Sequence, residues 1–446
     1  MLLGGWPVRW VLPPEGFFVN LDVPKLQFIP ILIGDDGSYP VEANRYLVER
    51  SCGEWAPGTG EDEDPTIPTL RSRGNIASRI CAFFYWCQLD DRREWRAMEY
   101  VEDLLGGYQV ELLSGKASAS NRPLKPSTVN LYLDEACAFL TWSAERGYRS
   151  TFRVPQRRTR VSSKGGNHAF SHLGHLVSQR HGKLREDDHD LGKLPLNTEV
   201  ARWIRAVLLR HPVKALIFEF MIRTGARISE ANLLRVSCFP RKALWRADWI
   251  MQDWVPITLR YGVKGGKVQP GSELSTRSRV VQLPVDLANR IEHYLTFIRP
   301  TLLSRFHRGD TVKLPRTDRL WLGEDKCQPV SNQMLYKAWT GVPHCPSGWH
   351  PHAARHYFAV EELCEATRQL LRFHEIENPK GVSLGWLHGL MAGQVRLLLT
   401  PLLGHVSEET SMRYLRYAQQ RMIRQFGHPA LDWNAIIDAD LEGLGD

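Results

Sequence analysis

The stretch Arg223-Thr224-Gly225-Ala226-Arg227-Ile228-Ser229-Glu230-Ala231-Asn232-Leu233-Leu234 decides how the chain is read. Val213, Leu216, Ile217, Phe220 and Met221 precede it at helical spacing, so an amphipathic helix runs into Gly225. Glycine there can take the left-handed conformation that closes a helix, and a second helix begins near Ser229. Arg227 falls in the sharp connection. A guanidinium held at a rigid corner is suited to clamp a phosphate through two parallel hydrogen bonds, although a lone surface arginine in a helix corner has the same signature.

Working outward, Val200, Ile204, Val207 and Leu208 form an earlier helical face that opens after Leu196-Asn197-Thr198. Downstream, Trp254 to Val263 and Arg277 to Val285 read as strands joined by the polar loop Lys264 to Thr276. Helical patterns then continue to about residue 427. Upstream, Ile76, Ile80, Phe83, Phe84 and Cys87 share one helical face. Val129, Tyr132, Leu133, Ala136, Phe139 and Leu140 share another, on a helix that starts at Pro126-Ser127-Thr128 and stops at Gly147. Trp95 to Leu113 supplies a third apolar pattern. The expected fold class is therefore mainly α with a small β-sheet, an α+β arrangement. Its expected divisions are an N-terminal arm or small β-containing module (1–65), a helical domain (66–152), a basic linker (153–195), a second mainly helical domain (196–430) and an acidic tail (431–446). Within the arm, Phe17 to Leu21 and Leu26 to Ile33 are strand-like, before a Gly34-Asp35-Asp36-Gly37 turn.

Composition narrows the function. Of 446 residues, 57 are Lys or Arg and 49 Asp or Glu, a formal net charge of +8 that favours a polyanionic partner. Nine Lys or Arg against four acids lie between residues 153 and 193, where a solvated linker and a phosphate-contacting connector are both consistent. The last sixteen residues hold five acids and no Lys or Arg, so they suit docking on protein and not on nucleic acid. No apolar run of membrane-spanning length occurs, and no signal-peptide pattern opens the chain, so a cytoplasmic protein is expected. Eight cysteines without a C-x-x-C pair read as reduced thiols. There is no internal repeat.

Two further clusters carry chemistry. In His350-Pro351-His352-Ala353-Ala354-Arg355-His356-Tyr357, His352 and Arg355 are three apart and share a helical face, an imidazole beside a guanidinium. In Leu402-Leu403-Gly404-His405-Val406-Ser407-Glu408-Glu409, Gly404 breaks the chain and Ser407 can cap a helix that carries Tyr414 two turns in. A tyrosine at such a place is ordinarily packing. The histidines 344, 350, 352 and 356, with Cys327 and Cys345, match the spacing of no closed zinc site cleanly, and neither a phosphate-binding G-x-x-x-x-G-K-[ST] loop nor H-E-x-x-H is present.

The T-G-x-R-x-S-E corner, the H-x-x-R-H helix and L-L-G-H followed nine residues later by tyrosine, in this order, resemble the tyrosine recombinases, or phage integrases. The resemblance covers roughly residues 66 to 428, with 66–152 similar to that family's core-binding domain and 196–430 to its catalytic domain. It implies a two-domain, C-shaped clamp on double-stranded DNA. It also implies strand cleavage and rejoining through a 3′-phosphotyrosyl link to Tyr414, with no cofactor, metal or ATP. Arg227 and Arg355 would hold the non-bridging oxygens, His352 would help to deprotonate the tyrosine, and His405 would hydrogen-bond the phosphate. Lys264, or its rival Lys267, would protonate the leaving 5′ oxygen, and Glu230 would orient its neighbours. Tyr417 is the competing nucleophile, one turn on. The resemblance further implies a homotetramer on two paired sites, each protomer lending its C-terminal segment to a neighbour, and accessory DNA-bending or directionality factors. A bacterial, nucleoid-associated location is expected. Two departures from simple members stand out: the long Lys267 to Arg279 stretch and the 50-residue separation of Arg355 from His405, whose excess lies around Glu365 to Gly393. A type IB topoisomerase, a telomere resolvase and a non-catalytic DNA-binding protein are the alternatives.

Overall fold

The computed structural model describes residues 8–14, 16–17, 26–58, 67–89, 94–118, 120–161, 175–185, 194–264, 274–308, 317–325, 328–376, 383–404 and 408–425. The chain divides into two compact units, 1–162 with 174–188, and 163–173 with 189–446. Both are helical with small antiparallel sheets, the expected fold class.

Unit 1 begins with a hairpin of β1 (Val8–Val11) and β2 (Ile31–Gly34), followed by α1 (Val41–Cys52) and α2 (Leu70–Gln88). A π-helical turn over Tyr100–Gln109 runs into α3 (Val110–Ser114), and α4 (Pro126–Glu145) follows. The predicted face of α2 is the buried one, with Ile76, Ile80, Phe83 and Cys87 inside. Val129, Leu133, Ala136, Phe139 and Leu140 do the same for α4. The described residues of the segment expected as an arm or small β-containing module carry the β1–β2 hairpin and α1. Val8, Leu32, Tyr46 and Leu47 bury into one core with Phe83, Phe139 and Trp142, since a two-stranded hairpin and one helix have too little apolar surface to stand alone. The expected strand from Leu26 shrinks to Ile31–Gly34. The second expected strand, Phe17 to Leu21, lies largely outside the described residues. The basic connector likewise contains structure: β3 (Gln156–Val161) pairs antiparallel with β4 (His175–Arg180), Arg158 opposite Ser178. Arg180, near the end of β4, is buried on Asp134 and Asn130 of α4, which ties this hairpin to unit 1.

Unit 2 contains α5 (Asn197–Arg210), α6 (Pro212–Thr224), α7 (Ile228–Asn232) and α8 (Ala247–Met251), then the antiparallel pair β5 (Trp254–Tyr261) and β6 (Leu274–Pro284). After α9 (Val285–His293) and α10 (Arg299–Arg308) come α11 (Asn332–Thr340) and the long α12 (Pro351–Phe373). The chain closes through α13 (Leu384–Gln394), α14 (Thr400–Leu403) and α15 (Glu408–Gln425). The described residues between Arg355 and His405 form the rest of α12, then α13 and α14. One core is built around the aromatic group Trp203, Phe218, Trp339 and Trp349, with Trp203 and Trp339 4.5 Å apart between centroids. A second lies between α12, α13 and α15. Helix α12 lines both, which fixes its N-terminal half rigidly. Among the described residues no helix is long and apolar enough to cross a membrane.

Candidate active site

Helix α6 ends as its sequence requires. Gly225 takes φ 62° and ψ 21°, and a Cβ there would stand 2.4 Å from Cδ1 of Phe358 on α12, so this side chain of α12 packs where only glycine leaves room. The chain then turns extended through Arg227 into α7. The Glu230 carboxylate reaches back to accept the Arg227 backbone N–H at 2.8 Å and its Nη1 at 2.9 Å. Two things follow: an orphan donor at the start of α7 is satisfied, and the Arg227 guanidinium is held over the corner.

Glu230 is completely buried and is shared with a residue that the motifs did not single out. Arg279 of β6 donates Nε to Oε1 at 3.3 Å and Nη2 to Oε2 at 2.7 Å. Burial by itself would raise the Glu230 carboxyl, but Arg279 and Arg227 together hold it below the ordinary value. Arg279 also donates to the carbonyls of Leu402 at 2.5 Å and Gly225 at 3.2 Å. Its signal was legible: in β6 the residues Arg279, Val281 and Leu283 fall on the buried phase, and an arginine on that phase demands buried partners.

Helix α12 opens with His350, whose Nδ1 accepts the Ala353 N–H at 3.1 Å, followed by Pro351 in the first turn. Arg355, one turn in, is 1% exposed. Its Nη1 donates to the Gly225 carbonyl at 2.6 Å and its Nη2 to the Leu403 carbonyl, so it gathers the C-terminal ends of α6 and α14. Burial, with the positive Arg227 and Arg279 beside it, pulls this guanidinium down to about 9, while Glu230 and Tyr414 oppose the shift. Crowding of three cations around one carboxylate leaves a site short of negative charge. A guanidinium carries five N–H donors, so two carbonyls do not exhaust Arg355.

Gly404 ends α14 at φ 60°, and a Cβ there would lie 2.9 Å from Cδ of Arg279. The turn before His405 is thus packed directly on the Arg279 side chain. Tyr414 on α15 is buried. Burial holds its phenol above the ordinary value, and Arg355, Arg227 and Arg413 oppose that rise without cancelling it. The structure therefore brings Arg227, Arg355 and Tyr414 within electrostatic reach of one another. The Tyr414 hydroxyl lies 2.9 Å from Nδ1 of His356, and the His352 ring packs edge-on against His356 at 4.5 Å. His352 itself is exposed.

Lys264 is exposed just beyond β5, whose end is tied to the corner because Ser229 Oγ donates to the Gly262 carbonyl at 3.1 Å. Tyr417 is half-buried against the core between α12 and α15, as a packing residue would be. His405, Lys267, Cys327 and the tail 431–446 lie outside the described residues. Among the described residues no group of three or more His, Cys, Asp or Glu is placed to hold a metal. Arg227, Arg355, the Tyr414 phenol and the His356 imidazole thus lie within electrostatic or hydrogen-bonding reach of one another, a set of groups chemically suited to a tetrahedral anion.

No family model and no curated protein matches the sequence. Solved structures align with its fold. The XerH site-specific recombinase bound to a palindromic difH substrate aligns over 80% of this chain and 79% of its own, at 15% identity and a TM-score of 0.44. The integrase of transposon Tn1549 in complex with a circular-intermediate DNA aligns over 86% and 99%, at 13% identity and 0.42. A lambda integrase dimer bound to a COC′ core site aligns over 83% and 94%, at 12% identity and 0.39.

Proposed function

We propose that the chain is a tyrosine recombinase that breaks and rejoins double-stranded DNA at specific sites through a covalent link between Tyr414 and a 3′-phosphate. The observation that carries this reading is the convergence of Arg227 and Arg355 on the Tyr414 phenol from three distant stretches of sequence. A phenol is a poor nucleophile at neutral pH, and burial makes the Tyr414 hydroxyl harder still to ionise. Two guanidiniums favour its ionised form and the charge that builds on a pentacoordinate phosphorus. Arg227 and Arg355 clamp the non-bridging oxygens. Lys264 protonates the leaving 5′ oxygen, and His405 donates a hydrogen bond to the phosphate. The family resemblance gives the proton-acceptor role to His352, whereas the hydrogen bond to the phenol is made by its neighbour His356. Because the energy of the broken bond is kept in the phosphotyrosine, rejoining needs no ATP, and no step calls for a metal.

The protein would act as a homotetramer on two paired sites, in a mobile element of a bacterial nucleoid, with accessory bending or directionality factors setting the outcome. The acidic tail 431–446, with Trp433, Ile436 and Ile437, would be the segment lent to a neighbouring protomer. A nicked suicide duplex taken from DNA flanking the gene tests the reading. A covalent protein–DNA adduct that vanishes in Tyr414→Phe supports it. Specific binding without any adduct would make the chain a DNA-binding protein instead, and relaxation of plasmid lacking a recognition site would make it a topoisomerase.

A further inference from the structure

We infer that His356, and not His352, is the catalytic base that takes the proton from the Tyr414 hydroxyl. The assignment rests on the recombinase reading and deepens it. Its ground is geometric: Nδ1 of His356 is 2.9 Å from the phenolic oxygen, the reach a proton acceptor needs, while His352 is exposed and meets His356 ring to ring. Both imidazoles stand on α12, four residues apart and hence on one face. His356 occupies the inner position next to α15, and His352 the outer.

The positions are fixed from both sides. Arg355, adjacent to His356 in sequence, is locked by the Gly225 and Leu403 carbonyls, and the next two residues, Tyr357 and Phe358, are buried. On the other side, Arg421 ties α15 down. It donates to the Pro195 carbonyl at 3.0 Å and Asn197 Oδ1 at 2.7 Å, pairs with Glu361 of α12 and lies over the Tyr357 ring. The His356–Tyr414 contact therefore joins two anchored helices. The charged and titratable groups facing it are Arg355 and His352 from α12, Arg227 from the corner before α7, and Arg413 from α15 itself.

In cleavage the phenol O–H bond breaks. Its proton passes to Nδ1 of His356, and the electron pair on oxygen forms the O–P bond. The P–O5′ bond breaks with its pair left on the 5′ oxygen, which takes a proton from Lys264. In rejoining, the 5′-hydroxyl attacks phosphorus and returns a proton to Lys264, and the phenolate that leaves recovers its proton from His356. His352, edge-on against the His356 ring at 4.5 Å, restricts its rotation.

Single-turnover cleavage of the nicked duplex as a function of pH tests the assignment, on the full chain and on His356→Gln and His352→Gln, with DNA binding and thermal midpoint measured for each. Loss of a general base lowers the rate by about 10²–10⁴-fold at neutral pH. For His356→Gln that loss should shrink about tenfold per pH unit as the solution ionises the phenol directly. In a further variant, His356→Ala, which leaves room for a small molecule, added imidazole should restore part of the rate. His352→Gln should lose less and keep the wild-type profile. A wild-type rate in His356→Gln, a loss that high pH and imidazole do not repair, or the base-type profile appearing in His352→Gln instead would each overturn the assignment. Failure of the unmodified chain to form any Tyr414-dependent adduct is a different outcome: it removes the recombinase reading and this assignment with it.

Discussion

Replacing Arg279 by methionine, which keeps much of the apolar stem, should damage the site from beneath without touching any group placed on the substrate. In the native protein the Arg279 guanidinium satisfies both oxygens of a carboxylate with 0% side-chain exposure and the carbonyls of Leu402 and Gly225. Arg227 can still neutralise part of Glu230 through its 2.9 Å contact, and Arg355 still serves the Gly225 carbonyl, but Leu402 loses this donor. Removing one partner of a buried ion pair typically costs about 3–5 kcal/mol, and this pair is near the upper end of burial. Amide hydrogen exchange on α6, α7 and β6 would read the loss in unit 2 separately from unit 1. The double variant Arg279→Met with Glu230→Gln removes the stranded charge, so it should be less damaged than the two single losses summed, by about 1–3 kcal/mol. Cleavage should fall about 10²-fold, since both the Arg227 corner and the turn before His405 lose their common support. A single-variant loss under about 1 kcal/mol, or additivity of the two substitutions, would refute the claim that this pair underpins the site.

The carboxyl of Glu230 is held below its ordinary value, so its stabilisation is complete above about pH 4.5 and is lost as the pH falls through the depressed folded value. The gap in melting midpoint between wild type and Glu230→Gln should thus be flat from pH 5 to 8 and close on further acidification; a gap that widens in acid would contradict it. Gly225→Ala combines a positive φ with a 2.4 Å clash on Phe358 and should cost about 2–4 kcal/mol, part of which Phe358→Leu recovers. Arg421→Ala should loosen α15 by about 2–4 kcal/mol, seen as faster exchange along that helix with unit 1 unchanged. Deleting residues 431–446 should weaken pairing of two sites more than binding to one, and equal losses would remove the tail from assembly.

Much of this was legible in the sequence, for identifiable reasons. The faces of α2 and α4, the αL stop at Gly225 and the strands on either side of the Lys264 loop follow from periodicity and local chemistry, which act within a few residues. What escaped depends on contacts far along the chain. Nothing local ties Val8 and Leu32 to Phe139, so the sequence left an arm or a small β-containing module open and could not show the core these residues share. Residues 156 to 161 read as linker until β4, about twenty residues on, supplies the partner strand. Arg279 belongs to no motif, and its importance appears only when Glu230, Leu402 and Gly225 meet around it. The same holds for His356: spacing puts His352 and Arg355 on one face, but which imidazole faces α15 is set by how α12 and α15 pack.

The most direct measurement is to digest the adduct trapped on a nicked duplex with trypsin and locate the nucleotide by mass. Cleavage after Arg413 and Arg416 isolates Tyr414-Leu415-Arg416, and the account predicts a 3′-phosphoryl nucleotide on that peptide alone. A nucleotide found instead on the peptide carrying Tyr417, or on any other side chain, would contradict it.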